Sequence, residues 1–113
     1  MKGLESITYE FNGRCLNISL GEVVYISYGD ILETIERGKI LQYVRSLYSI
    51  ISDWEHDYNN VNLIDGNNWK LSIIYADGNK SEYSGKSNYP YNFGAFERLN
   101  QKLIMEVLNG KIY

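Results

Sequence analysis

The chain has 113 residues, the size of one domain. Hydrophobic residues make up 44% and charged residues 22%, which excludes both a disordered chain and a membrane-embedded one. A formal net charge of −3 disfavours direct nucleic acid binding, because duplex binding needs phosphate-neutralising Lys and Arg, but it leaves a basic protein partner open.

Two-residue turn signals organise the first third of the chain. Asn12-Gly13 separates Glu5–Phe11 from Arg14–Leu20, and Gly29-Asp30 separates Val23–Tyr28 from Ile31–Arg37. Such pairs tolerate the positive φ angles of type I′ and II′ hairpin turns. The flanking segments alternate: Ile7, Tyr9 and Phe11 share one face, and Leu16, Ile18 and Leu20 share another. Cys15, the single cysteine, lies in this alternating stretch; no intrachain disulfide is possible, and the thiol reads as buried and structural. Only Arg14 stands beside it to lower its pKa. Ile31–Arg37 reads as a strand on the strength of its turn, although Asp30 with Glu33 could cap a short helix ending at Gly38.

Lys39–Tyr58 reads as the main helix. Ile40, Val44, Leu47, Ile51, Trp54 and Tyr58 recur at steps of three and four. Asp65-Gly66 then turns the chain, and Asp77-Gly78 joins Trp69–Ala76 to Asn79–Ser84 as a further hairpin. A second helix is predicted from about Phe93 to Asn109. Phe96, Leu99, Leu103 and Val107 form its apolar face, Asn92 can cap its start, and Gly110 suits a left-handed stop. The expected fold is therefore a single α+β domain over residues 1–113: an antiparallel sheet of about six strands built from hairpins, with one long central helix and one C-terminal helix. No basic segment followed by an apolar run opens the chain, and no stretch is apolar enough to span a bilayer, so a cytoplasmic location is expected. The abundance of Asn, Ile, Tyr and Lys points to an AT-rich genome, bacterial or phage.

Catalytic signatures do not assemble. On a helix, Asp53, His56 and Asp57 would have a spacing used in bundle metal sites, but those sites draw carboxylates from other helices and no second motif appears. Asp65-Gly66-Asn67-Asn68 and Gly85-Lys86-Ser87 lack the spacing of a phosphate loop. Neither an enzyme activity nor a cofactor or metal is expected. What stands out is a set of aromatics around the last hairpin. Tyr83, Tyr89, Tyr91 and Phe93 flank Ser84-Gly85-Lys86-Ser87-Asn88, and aromatics with a polar handle are favoured at interfaces. They could equally plug the gap between sheet and second helix.

Trp54–Leu99 carries W-x-x-x-Y, D-G-x-x-W-x-L-x-I-x-Y-x-D-G and Y-S-G-x-x-x-Y-P-x-N-F. The landmarks are Trp54, Tyr58, Asp65, Gly66, Trp69, Leu71, Asp77, Gly78, Gly85, Tyr89, Pro90 and Phe93. This pattern resembles small, functionally uncharacterised proteins of low-GC Gram-positive bacteria and their mobile elements. The resemblance implies a hairpin followed by a helix and brings no substrate with it. The expected function is a non-catalytic protein-binding module, such as a small inhibitor, immunity protein or phage anti-defence protein. The alternative is a small-ligand-binding domain with an aromatic-lined pocket. In either case Tyr83, Lys86, Asn88, Tyr89 and Tyr91 are the candidate binding residues, on a loop expected to span Ser84–Tyr91.

Overall fold

The hairpins anticipated from the turn residues form one mixed sheet. A computed structural model describes residues 3–59 and 67–112, so the Asp65-Gly66 turn lies outside the described residues. The strands are β1 (Leu4–Phe11), β2 (Arg14–Leu20), β3 (Val24–Tyr28), β4 (Ile31–Thr34), β5 (Asp57–Asn59), β6 (Asn68–Tyr75) and β7 (Lys80–Lys86). The helices are α1 (Arg37–Ile51) and α2 (Phe93–Ile112). The sheet order is β4-β3-β2-β1-β6-β7-β5, antiparallel except for the β5–β7 pair.

Asn12 and Gly13 both take positive φ, 49° and 86°, as a type I′ turn requires. The Asp77-Gly78 turn is built differently. Gly78 N–H bonds the Tyr75 carbonyl at 3.0 Å, Tyr75 N–H bonds Asn79, and only Gly78 has positive φ. This is a type I turn closed by a glycine bulge, a three-residue loop.

Register places the apolar alternates on one face. Ile7 sits opposite Ile18 and Ile73, and Tyr9 opposite Leu16 and Leu71. These residues pack with Ile40, Tyr43, Val44, Leu47 and Ile51 of α1 and Phe96 and Leu103 of α2 in one core. The other face carries the row Ser27, Asn17, Thr8 and Ser72. Cys15 belongs to that outer face, opposite Glu10, and is exposed, because the alternation that sends Leu16 inward sends Cys15 outward. It is not the buried thiol expected. Slight burial and the Glu10 carboxylate push its pKa up, away from nucleophilic character.

The sheet thus has seven strands with one parallel pair, against the six antiparallel strands expected. Ile31 does open a strand, which stops at Thr34. The 15-residue α1 ends at Ile51, well short of Tyr58, and the 20-residue α2 is the longer helix, running through Gly110 instead of stopping before it. Two forces stop α1. Asp53, Glu55 and Asp57 would gather carboxylates at the negative end of the helix. Trp54 is drawn into the core instead, with its backbone N–H turned back to Ile51. Asp53, His56 and Asp57 therefore never share a helix face, and Tyr58 lies in β5. Among the described residues no helix is long and apolar enough to cross a membrane.

Two core tyrosines carry a pH signature. Tyr43 donates to Asn100 Oδ1 at 2.5 Å, and Tyr9 donates to Glu97. Burial pushes both hydroxyls above the ordinary tyrosine range, and Glu97 adds to the effect on Tyr9. A raised folded-state pKa favours the neutral form, so this stability is present below the unfolded value of about 10 and is lost as pH rises above it. Alkaline titration should ionise exposed tyrosines first, and these two only as circular dichroism reports unfolding. Ionisation of all 11 tyrosines in one step, with the fold intact, would contradict the assignment.

Candidate functional site

The segment singled out by its tyrosines splits in two. Ser84, Gly85 and Lys86 belong to β7, where Lys86 pairs with Asn68 of β6 and Asn59 of β5, so the connecting loop is residues 87–92. Strand pairing on both sides extends β7 past the predicted end.

Each part of the loop is tied down. Ser87 takes positive φ, 51°, a costly region for a non-glycine residue. Its N–H donates to the Asn67 carbonyl and its Oγ accepts from Asn67 N–H, both at 2.8 Å. Asn67 is joined in turn to the β1–β2 turn: Asn12 Nδ2 donates to Asn67 Oδ1 at 2.7 Å, and Asn12 Oδ1 accepts from Asn68 N–H at 2.9 Å. The Asn88 carbonyl accepts from Trp69 Nε1–H at 2.9 Å. Tyr89 packs on Phe93 with ring centroids 4.8 Å apart. Asn92 closes the loop. Its Oδ1 accepts from Trp54 Nε1–H at 2.6 Å, and its Nδ2 donates to the Ile50 carbonyl at 2.8 Å. That second bond satisfies one of the last open carbonyls of α1. Asn92 thus sits at the N-cap position of α2, with its carbonyl accepting from Ala95 and Phe96, but its side chain serves the other helix.

Beneath the loop the rings close on one another. Trp54 and Trp69 meet edge to face at 5.7 Å, and Phe93 contacts both, at 6.0 and 5.0 Å. Tyr83 stacks on His56 at 4.7 Å and meets the edge of Trp54. His56 Nδ1 lies 2.7 Å from the Glu82 carbonyl. Among the described residues no three His, Cys, Asp or Glu side chains come together as metal ligands would.

The five predicted site residues therefore occupy different environments. Tyr83 and Tyr89 are half-buried in ring contacts, Lys86 is half-buried at the strand end, and Asn88 is exposed with its backbone engaged. Tyr91 is 83% exposed, and its hydroxyl donates to Asp53 Oδ2 at 3.2 Å. That bond to a carboxylate raises the phenol's pKa, so Tyr91 stays a neutral donor. Sequence reasoning missed Asn67, the second role of Asn92, and Asn100, the one polar residue buried on α2 among the described residues. The signal for Asn100 was a polar residue inside the stripe Phe96–Leu99–Leu103. No family model, no curated protein and no solved structure matches the chain.

Proposed function

We propose that this chain is a non-catalytic protein-binding module of the cytoplasm, of the inhibitor, immunity or anti-defence kind, and that the loop 87–92 carries its recognition surface. The observation that carries the reading is the contrast within that loop. Tyr91 is 83% exposed, while Ser87, Asn88, Tyr89 and Asn92 are each anchored to the sheet, the ring cluster or α1. A loop already ordered loses little entropy on binding, and a rigid tyrosine supplies large contact area. Lys86 and Asn88 flank it with polar groups. The net charge of −3 favours a basic partner surface over nucleic acid.

A photo-crosslinking amino acid at position 91 tests this in cells. The expected result is one dominant protein adduct from position 91. Tyr91→Ala should then weaken that complex by about 1–2 kcal/mol or more with little change in melting temperature, since the ring is not part of the core. Tyr89→Ala should cost stability as well. A dominant adduct from position 32 instead would move the interface to the β3–β4 edge, where Leu32 and Tyr25 are 65% and 45% exposed.

A further inference from the structure

β4 leaves one side of its backbone open. It ends the sheet order, and among the described residues no strand lies beyond it. Ile35 N–H bonds the Val24 carbonyl at 3.0 Å. In an antiparallel pair the bonds to one neighbour come from alternate residues, so Ile31, Glu33 and Ile35 face β3. Leu32 and Thr34 therefore turn their N–H and C=O groups to the open edge, and both residues are exposed.

Edge strands are commonly guarded by lysine, proline or a bulge. The β3–β4 hairpin has none of these. Its register runs unbroken from Tyr28 opposite Ile31 to Tyr25 opposite Thr34. Residues 21–36 include Glu22, Asp30, Glu33 and Glu36 and no lysine, arginine or proline. What guards this edge is its shortness and its negative charge. Negative charge repels a second acidic edge, including that of another copy of this chain, and attracts a basic one.

The two faces of the edge differ in chemistry. Glu33 lies opposite the core residue Ile26, so its side chain leaves on the helix-covered face. There a cleft of about 210 Å³ is lined by Glu33, Glu36 and Glu106 with Lys39, three carboxylates against one ammonium. Small-molecule sites run from roughly 300 to 1,000 Å³, so this is a recess for a side chain. On the other face Leu32 and Tyr25 are exposed apolar groups on adjacent strands. A strand added beside β4 sends alternate side chains to these two faces. Residues opposite Leu32 and Thr34 meet the apolar face, and the residue opposite Glu33 points toward the carboxylates.

We propose that β4 is a docking edge for an extended protein segment in which apolar and basic residues alternate. The segment joins the sheet as an eighth strand, antiparallel to β4 as β3 is. Its backbone pairs with Leu32 and Thr34, and a lysine or arginine reaches the carboxylates of the cleft. Main-chain pairing supplies affinity, and the alternate side chains supply selectivity. This edge lies across the sheet from β7 and the loop 87–92, and neither reading depends on the other.

The test is amide hydrogen exchange read by two-dimensional NMR, with a capped peptide of about seven residues alternating valine and arginine, the length of an ordinary strand. The expected result is that the Leu32 and Thr34 amides exchange fast in the free protein and become protected when peptide is added. The Glu33 and Ile35 amides, already bonded to β3, should be protected throughout. The same peptide with N-methylated valines, which have no N–H to give β4, should protect neither residue. An alternating valine–glutamate peptide should bind at least about tenfold more weakly. Leu32→Pro removes an N–H that β3 does not use and blocks the edge, so it should abolish binding. Glu106→Lys, on α2 and outside the hairpin, is the second arm and should weaken the arginine peptide by roughly threefold with the fold kept. Unprotected Leu32 and Thr34 amides at saturating arginine peptide overturn the proposal. So does equal binding of the glutamate peptide, and so does unchanged affinity in Glu106→Lys. Protection of the two amides without peptide, rising with protein concentration as the mass doubles, would assign the edge to a second copy instead.

Discussion

Trp69→Ala is expected to destabilise the fold by about 3–5 kcal/mol, as truncation of a fully buried large aromatic does. Trp69 is 2% exposed. Its ring is within 5.7 Å of Trp54, 5.0 Å of Phe93 and 6.0 Å of Tyr58, so truncation opens a cavity shared by β5, β6, α2 and the segment after α1. The change also removes the N–H that holds the Asn88 carbonyl. Trp69→Phe separates the two contributions. It keeps most of the ring and loses the hydrogen bond, and should cost less than Trp69→Ala because Asn88 is exposed and its carbonyl can turn to water. Trp54→Ala belongs to the same class, with the Asn92 amide losing its donor. Since the two indoles touch, the double variant should cost less than the sum of the single ones. Thermal and denaturant melts measure all four. An unchanged melting temperature for Trp69→Ala would place that ring outside the core.

The hairpins were legible because their signals are local. Asn12-Gly13 dictates its own turn, and the alternation of Ile7, Tyr9, Leu16 and Ile18 dictates which face is buried, whatever the rest of the chain does. The α1 stripe was legible for the same reason up to Ile51. Beyond it, Trp54 and Tyr58 continue the helical spacing by coincidence. Their burial is real but is reached through a turn and a short strand, because tertiary contacts of Trp54 with Asn92 and Phe93 compete against helix propagation. The Asp57–Asn59 strand was invisible because it exists only by pairing with β7, and three residues carry no period.

The candidate site was half legible. A tyrosine-rich segment near the closing helix was evident, but which tyrosine faces solvent depends on where β7 ends and how the loop crosses α1. Those are set by hydrogen bonds between residues far apart in sequence: Asn67 with Ser87, Trp54 with Asn92, Tyr91 with Asp53. Asn100 was passed over because a single polar residue in an apolar stripe has no meaning until its two amide ends are seen, one paired and one not.

Gly85→Ala is the second large effect, and it joins core to loop. Gly85 lies opposite Trp69 in the β6–β7 ladder, and the indole lies across it. A Cβ there would fall 2.4 Å from Trp69 Nε1 and 2.5 Å from the Asn88 carbonyl oxygen. The backbone conformation of Gly85 is not the constraint, because it is absent from the positive-φ glycines; the space is. One of the two obstacles is backbone and the other is a packed indole, so neither yields as a flexible side-chain end would. Overpacking together with loss of the Trp69–Asn88 bond should cost about 2–4 kcal/mol. The variant has a consequence that Trp69→Phe does not share: it pushes the Asn88 carbonyl, and with it the loop bearing Tyr91. Partner binding should therefore fall further than the unfolded fraction explains. Adding Trp69→Leu to Gly85→Ala removes the indole atoms but not the Asn88 carbonyl, so the double variant should cost less than the sum of the two single ones, and binding should stay impaired. If Gly85→Ala melts like the parent protein, the indole does not lie over Gly85, and the loop is not held by the core in the way described.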